Sequence, residues 1–214
     1  MSTPTAIFLF DKTGNMAKPW ADAGYRCICF DIQHAGRSVR DGIVFQHWDA
    51  LHGAPIVPPD SDVVFGFAFP PCTHLAVSGA RWFAGKGLRA LAQSIEMFAT
   101  SAEFLESLDC AYGIENPVST ISSYWRKPDH TFHPYDFTEF ELADNYTKKT
   151  CLWTGGGFVM PAAARADGLA APDNRIHAAP PSDDRADIRS ATPMGFARAV
   201  FAANHDLITQ GDTR

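Results

Sequence analysis

The chain lacks a positive balance: 24 acidic residues against 18 Lys and Arg leave a net charge of −6 over 214 residues. That excludes a global field drawing in DNA, so any nucleic-acid contact has to come from a local patch. No apolar run approaches the length that spans a bilayer, and the amino terminus lacks a signal-peptide pattern. The five cysteines are odd in number and have no framework spacing, which excludes a disulfide scaffold and suits a reducing cytoplasm. No internal repeat is present. His130 and His133 stand at metal-ligand spacing, yet no carboxylate or cysteine partners follow at such spacing, so no metal is expected. What remains is 46% hydrophobic and 20% charged, enough for one domain over 1–214 with a sizeable core.

The most informative stretch is 65–79, FGFAFPPCTHLAVSG. The apolar run 63–69 reads as a buried strand, because it is short, β-rich and closed by a Pro-Pro break. Cys72 follows the break, on the loop that leaves the strand's carboxyl end, which is the ligand edge of an open α/β sheet. Two prolines fix that backbone and remove N–H donors. A thiol so placed is a candidate nucleophile, while most free cysteines are inert core, and both readings stand at this point.

Upstream, residues 6–10 (AIFLF) predict a first strand and a short helix running to Ala23, with Pro19 in its first turn and Gly24 closing it. Residues 25–30 (YRCICF) predict a second strand ending in Asp31, and 43–46 a third with Asp49 just beyond. A Gly-bearing turn after one strand and an acid at the end of the next outline a nucleotide-binding half-fold. Gly14 is the one glycine in that turn, so an ordinary strand-to-helix turn remains the alternative. After Cys72, the glycine-punctuated loop 78–87 reads as a lid over substrate or as a plain surface loop.

Leu88, Leu91, Ile95, Phe98, Ala102 and Leu105 step by three and four, which predicts a helix over 88–108 with that face in the core. A strand over 111–114 then ends in Glu115-Asn116-Pro117. Residues 125–135 predict a loop, 146–153 a strand closed by Gly155-Gly156-Gly157, and 161–189 an irregular or mobile segment. Thr192 and Pro193 predict a helix N-cap and first turn. Strands alternating with helices argue a doubly wound α/β sheet, whose carboxyl edge gathers the 12–15 turn, Asp31, Asp49, Cys72 and Glu115. A thiolate can add to carbon 6 of a pyrimidine while a nearby carboxylic acid protonates ring N3.

In that order, the motifs resemble those of the DNA cytosine-5 methyltransferases, and among them the short, phage-type members. FDKTGN looks like the first motif of the family, and Pro71-Cys72 like its nucleophile motif. Glu115-Asn116 looks like its Glu-Asn motif, and TPMGFARAV from Thr192 like its closing helix. The resemblance implies a Rossmann-like, class I methyltransferase fold with S-adenosyl-L-methionine as cofactor and DNA cytosine as substrate. Catalysis would fall to Cys72 and Glu115. Cofactor contacts would come from Phe10, Thr13, Gly14, Asn15, Asp31, Ile32, Asp49, Pro70 and Thr192. Substrate contacts would come from Pro71, Ser78, Asn116, Pro117, Lys148 and Lys149.

The pattern departs from the family in three places. Lys12 stands where the first motif has a glycine, residues 73–75 differ from those usual after the nucleophile, and the arginine-bearing motif is not evident. Lys148 and Lys149 read equally as replacement charge and as a solvated strand face, lysine lacking the guanidinium fork. Between Trp153 and Ser190 there is no room for a substantial target-recognition domain, so specificity is expected to be slight or supplied by a partner chain. Two alternatives stand beside DNA methylation. One is modification of free dCMP. The other is a subunit that binds S-adenosylmethionine or nucleic acid without catalysis. Zinc deamination is disfavoured, because position 75, three residues after Cys72, is Leu75 and not a second cysteine.

Overall fold

In a computed structural model, which describes residues 3–178 and 189–211, the chain is α/β. One eight-stranded sheet has the spatial order β3-β4-β2-β1-β5-β6-β8-β7. The strands are β1 (Thr3–Leu9), β2 (Arg26–Asp31), β3 (Arg37–Arg40), β4 (Ile43–His47), β5 (Ser61–Ala68), β6 (Ala111–Pro117), β7 (His130–Phe132) and β8 (Thr150–Gly155). Strands β4, β2, β1, β5 and β6 run parallel. Strand β8 enters antiparallel between β6 and β7, and β3 is antiparallel to β4 at the other edge.

The central strands are continuous apolar runs because both faces are covered, as parallel sheets require. On one face, Ala6, Phe8, Phe65 and Phe67 pack with Trp20 of α1 (Lys18–Asp22) and with Phe196 and Val200 of α5 (Met194–Gly211). On the other, Ile7, Leu9 and Ala68 meet Phe98, Ala102 and Leu105 of α2 (Phe83–Glu106). The alternation along each strand sends successive side chains to opposite layers. This double covering is the doubly wound arrangement that the alternation of elements predicts. Two shorter helices, α3 (Ile121–Tyr124) and α4 (Arg175–Ala178), lie in connections.

Several expectations need correction. Helix α2 begins five residues early and breaks at Gly87 (φ 79°, ψ 164°), and Leu88, the first residue after the break, lies off the core face. Leu88 is accordingly 83% exposed, while Phe98, Ala102 and Leu105 are buried as expected. The 78–87 stretch is not an open loop: residues 77–82 form a 3-10 helix that runs into α2, and Lys86 Nζ donates to the Thr73 carbonyl at 2.5 Å. Residues 130–132, expected in a loop, form the edge strand β7. The last helix starts at Met194, two residues after Thr192. Pro193 accepts the first intrahelical bond from Ala197, and the Asp144 carboxylate accepts from the Gly195 N–H at 2.7 Å. A carboxylate from a distant turn therefore caps this helix, and Thr192 is not its N-cap.

The segment after β8 is irregular over 161–174 and is tied down along its length. Ala164 donates to the Asp136 carbonyl at 2.7 Å and Thr147 donates to the Asp173 carbonyl at 2.7 Å. The irregular part of the expectation for 161–189 is thus seen over 161–174, and 179 to 188 lie outside the described residues. Among the described residues no helix is long and apolar enough to cross a membrane.

Candidate active site

The connection from β1 leads to β2 on one side, and the chain returns from β4 across β1 to β5 on the other. The strand order reverses between β1 and β5, and ligands of open α/β sheets bind outside the carboxyl ends of strands at such a point. The turn after β1 and the Pro-Pro-Cys loop after β5 both open there. Phe69 N–H donates to the Leu9 carbonyl at 3.0 Å, joining the two strand ends.

Asp11 organises the first turn. Its buried carboxylate accepts from the Gly14 N–H at 2.7 Å and from the Thr13 hydroxyl at 3.0 Å. Burial pushes the Asp11 carboxyl above its ordinary range, and those hydrogen bonds pull it back. Gly14 has φ +79°, and a Cβ there would stand 2.9 Å from Phe45 Cζ, so both backbone and space demand glycine. Phe10 also lies in the left-handed region, at φ 57°, which is strained for a bulky residue and concentrates at functional turns. Its ring packs 4.9 Å from that of Trp48. Asn15 Nδ2 then donates to the Thr192 carbonyl at 2.9 Å, tying the turn to the segment before α5.

Beside this turn, Asp31 is 4% exposed at the end of β2, and its Oδ1 accepts from the Gln33 N–H at 2.8 Å. Asp49 is engaged locally: its carboxylate accepts from Leu51 N–H and pairs with His52, both at 3.0 Å. Ile32 and Leu51 are exposed apolar neighbours of these two acids.

The second half of the site lies on β5 and β6. Ala68 and Ile114 are register partners, so Cys72 and Glu115 leave adjacent strand ends. Asn116, fully buried, donates from Nδ2 to the Pro70 carbonyl at 2.8 Å and so holds the nucleophile loop against β6. Lys148 Nζ lies 3.8 Å from Glu115 Oε1, both side chains being about seven-eighths buried, 15% and 14% exposed. Phe69, Glu115, Lys148, Ser190 and Thr192 line one narrow crevice, which links the acid to the residue that holds Asn15.

The charges here act on one another. Burial raises the Glu115 carboxyl above its ordinary value, with Lys148 pulling it back. Burial and the Glu115 charge raise the Cys72 thiol, while Lys148 and Arg189 lower it. The other cysteines, Cys27, Cys29, Cys110 and Cys151, are buried, and burial pushes Cys27 and Cys110 up to about 12. Cys72 is thus the one cysteine that is not fully buried; its thiol is raised on balance, and Lys148 and Arg189 are the charges that favour its thiolate. No protein-family model matches the chain, and no curated protein matches its sequence.

Of the residues expected from the sequence, the structure brings Glu115, Lys148 and Thr192 to one crevice. Cys72 lies close enough for its thiol to feel the Glu115 and Lys148 charges, and Asn116 is bonded to the Pro70 carbonyl of the same loop. Phe10, Thr13, Gly14, Asn15, Asp31 and Ile32 gather at the adjoining ends of β1 and β2. Two stand apart from the crevice. Ser78 is exposed on the 3-10 helix, and Lys149 is exposed and turned toward His133, as alternation along an extended segment requires. Sequence reasoning missed Asp11 and Arg189. An Asp three residues before a glycine is a turn signal that identifies Asp11; Arg189 sits where no periodicity marks it. Among the described residues no group of three or more His, Cys, Asp or Glu side chains is placed to hold a metal ion.

Proposed function

We propose that the chain is a methyltransferase of the Rossmann-like class I type, acting on carbon 5 of cytosine in DNA. It would have little sequence specificity of its own, or specificity supplied by a partner chain. The observation that carries this reading is the pairing of a thiol that is not fully buried, Cys72, with a largely buried carboxyl, Glu115, across the ends of β5 and β6 beside the turn at 11–15.

The residues at the β1 and β2 ends suit S-adenosylmethionine. The methionine part would lie against the turn at 11–15, at the carboxyl end of β1. Asp31 keeps Oδ2 available to a ribose hydroxyl, and Ile32 and Leu51 offer apolar faces to an adenine. When bound there, the cofactor supplies an electrophilic methyl group for carbon 5.

The protein's own part is proton and electron management on the base. Cys72 loses its proton to water, and the thiolate adds to carbon 6, forming a carbon–sulfur bond. The 5,6 electron pair shifts toward the ring, and Glu115 delivers its proton to N3. Its raised pKa suits this, because the higher the pKa, the larger the share of the carboxyl that holds a proton to donate. After carbon 5 has gained its substituent, that carbon's proton leaves to water and the carbon–sulfur bond breaks. N3 returns its proton to Glu115, and the thiolate is regenerated. Lys148, next to Glu115, offsets negative charge as the thiolate forms.

The test supplies S-adenosylmethionine with a radiolabelled methyl to duplex DNA, single-stranded DNA and dCMP in parallel. Label in DNA that is lost in Cys72→Ser supports the reading. Label only in dCMP replaces it with action on the free nucleotide. Cofactor binding without transfer to any of the three replaces it with a binding role.

A further inference from the structure

The opening between β5 and β6 carries a charge pattern opposite to that of the whole chain. Positions 73–95 contain no Asp or Glu but hold Arg81, Lys86 and Arg89. Positions 145–166 again contain no acid and hold Lys148 and Lys149. The first stretch follows β5 and the second leads into β8, so the two flank Cys72 and Glu115. Arg81, Arg89 and Lys149 are exposed, and none is in an ion pair among the described residues. A surface of this kind complements a polyanion.

Aromatic rings stand on the same rim. Trp82 is 60% exposed, with the Arg81 guanidinium 5.1 Å from its ring centroid, and Tyr124 is 64% exposed. The segments that carry them are knitted together. Val77 N–H donates to the Val118 carbonyl and Thr120 N–H to the Leu75 carbonyl, both at 3.0 Å, around a bridge between Ala76 and Ser119. An exposed ring gains from a base only if the base presents its π-face, which paired and stacked bases do not. Among the described residues, the segment after β8 is held by its hydrogen bonds against residues 136–147.

We propose that this face takes an unpaired DNA strand, with phosphates along Arg81 and Arg89 and a base next to the target cytosine stacked on Trp82. The inference rests on the proposed action on cytosine in DNA, and it narrows the substrate to single strands. An unpaired cytosine reaches Cys72 without the cost of leaving a duplex, so no flipping or recognition module is needed.

Fluorescence anisotropy of the full chain carrying Cys72→Ser, without cofactor, tests this over a range of salt concentrations. One labelled oligonucleotide with a single cytosine is used, both free and in a duplex with its complement. The free strand is expected to bind at least about tenfold more tightly than the duplex. Trp82→Ala is expected to weaken strand binding about tenfold, and Trp82→Phe to restore most of the loss, with the circular dichroism of both unchanged. Should Trp82→Ala misfold, Arg89→Glu serves instead and is expected to weaken binding and flatten its salt dependence. Equal or tighter duplex binding overturns the proposal, as does binding unmoved by these variants. Strand binding by a chain that never methylates DNA defeats the proposed function and leaves this surface standing; efficient methylation confined to duplex does the reverse.

Discussion

The Asn116 amide donates to the Pro70 carbonyl at 2.8 Å, so the residue after the acid holds the loop that carries the thiol. Asn116 Oδ1 is buried and has no hydrogen-bond partner, which leaves this one bond to orient the amide. The strand ends of β5 and β6 are thereby fixed relative to each other before any substrate arrives.

Asn116→Ala is therefore expected to cost about 1–3 kcal/mol of stability, because it strands a buried carbonyl. Methyl transfer should fall further than stability alone explains, since the Cys72 loop loses its anchor. Urea unfolding and single-turnover methylation on the same preparation check both parts. Asn116→Asp should be worse in each, as it sets a carboxylate against the Pro70 carbonyl.

Glu115→Gln separates catalysis from stability. The folded-state pKa of Glu115 is raised above its ordinary 4.5 by burial, so the unfolded chain ionises first as pH rises. Below 4.5 the carboxyl costs nothing relative to glutamine. Between 4.5 and the folded pKa the wild type loses stability progressively, and above it the loss is complete. The variant's melting temperature relative to wild type is expected to be higher at pH 7 than at pH 4, while methyl transfer drops. A relative melting temperature that falls with rising pH would count against the buried carboxyl.

Selective alkylation reads the field at the thiol. Cys72 is the one cysteine among the described residues that is not fully buried, so iodoacetamide should modify it first. Lys148→Met removes a charge that lowers the thiol pKa and should slow the reaction near neutral pH; Glu115→Gln removes one that raises it and should speed it. Mass spectrometry of timed samples gives both rates, and changes of the same sign in the two variants would refute the arrangement of charges.

Gly14→Ala adds a Cβ 2.9 Å from Phe45 Cζ at a backbone conformation of φ +79°. A penalty of about 1–3 kcal/mol is expected, concentrated in the first turn. Calorimetry should show weaker S-adenosylmethionine binding, while iodoacetamide modification of Cys72 proceeds at the wild-type rate.

The central sheet was legible because its strands are continuous apolar runs, AIFLF, RCICF and VVFGF, each closed by a polar or proline-marked turn. The first helix was legible from Pro19 and Gly24, which sit at its start and just past its end. Strand β3 was missed because all four of its residues are exposed, so no apolar pattern reveals it. The Asp41-Gly42 pair that turns β3 into β4, both residues at positive φ, was the available signal. Leu88 was misplaced because it directly follows Gly87, where the backbone breaks, and the period by itself does not mark that the core face begins farther along the helix.

At the site, Cys72, Glu115 and the first turn were readable as strand-end polar residues. The Asn116 clamp and the Lys148–Glu115 pair were not, since the first depends on how β6 lies against the loop after β5 and the second on how β8 is inserted against β6. That insertion is a long-range choice, invisible to local pattern. Arg189 acts on the thiol from far along the chain, through proximity that no spacing rule encodes.

The hydrogen bond from Asn15 to the Thr192 carbonyl spans 177 positions. On the ribosome, the loop at the end of the first strand emerges 177 positions ahead of its counterpart. A nascent chain halted before residue 192 would have the sheet's middle strands in hand but no wall on that side of the crevice. Premature termination should therefore yield a protein that collapses around its strands yet cannot retain a nucleoside.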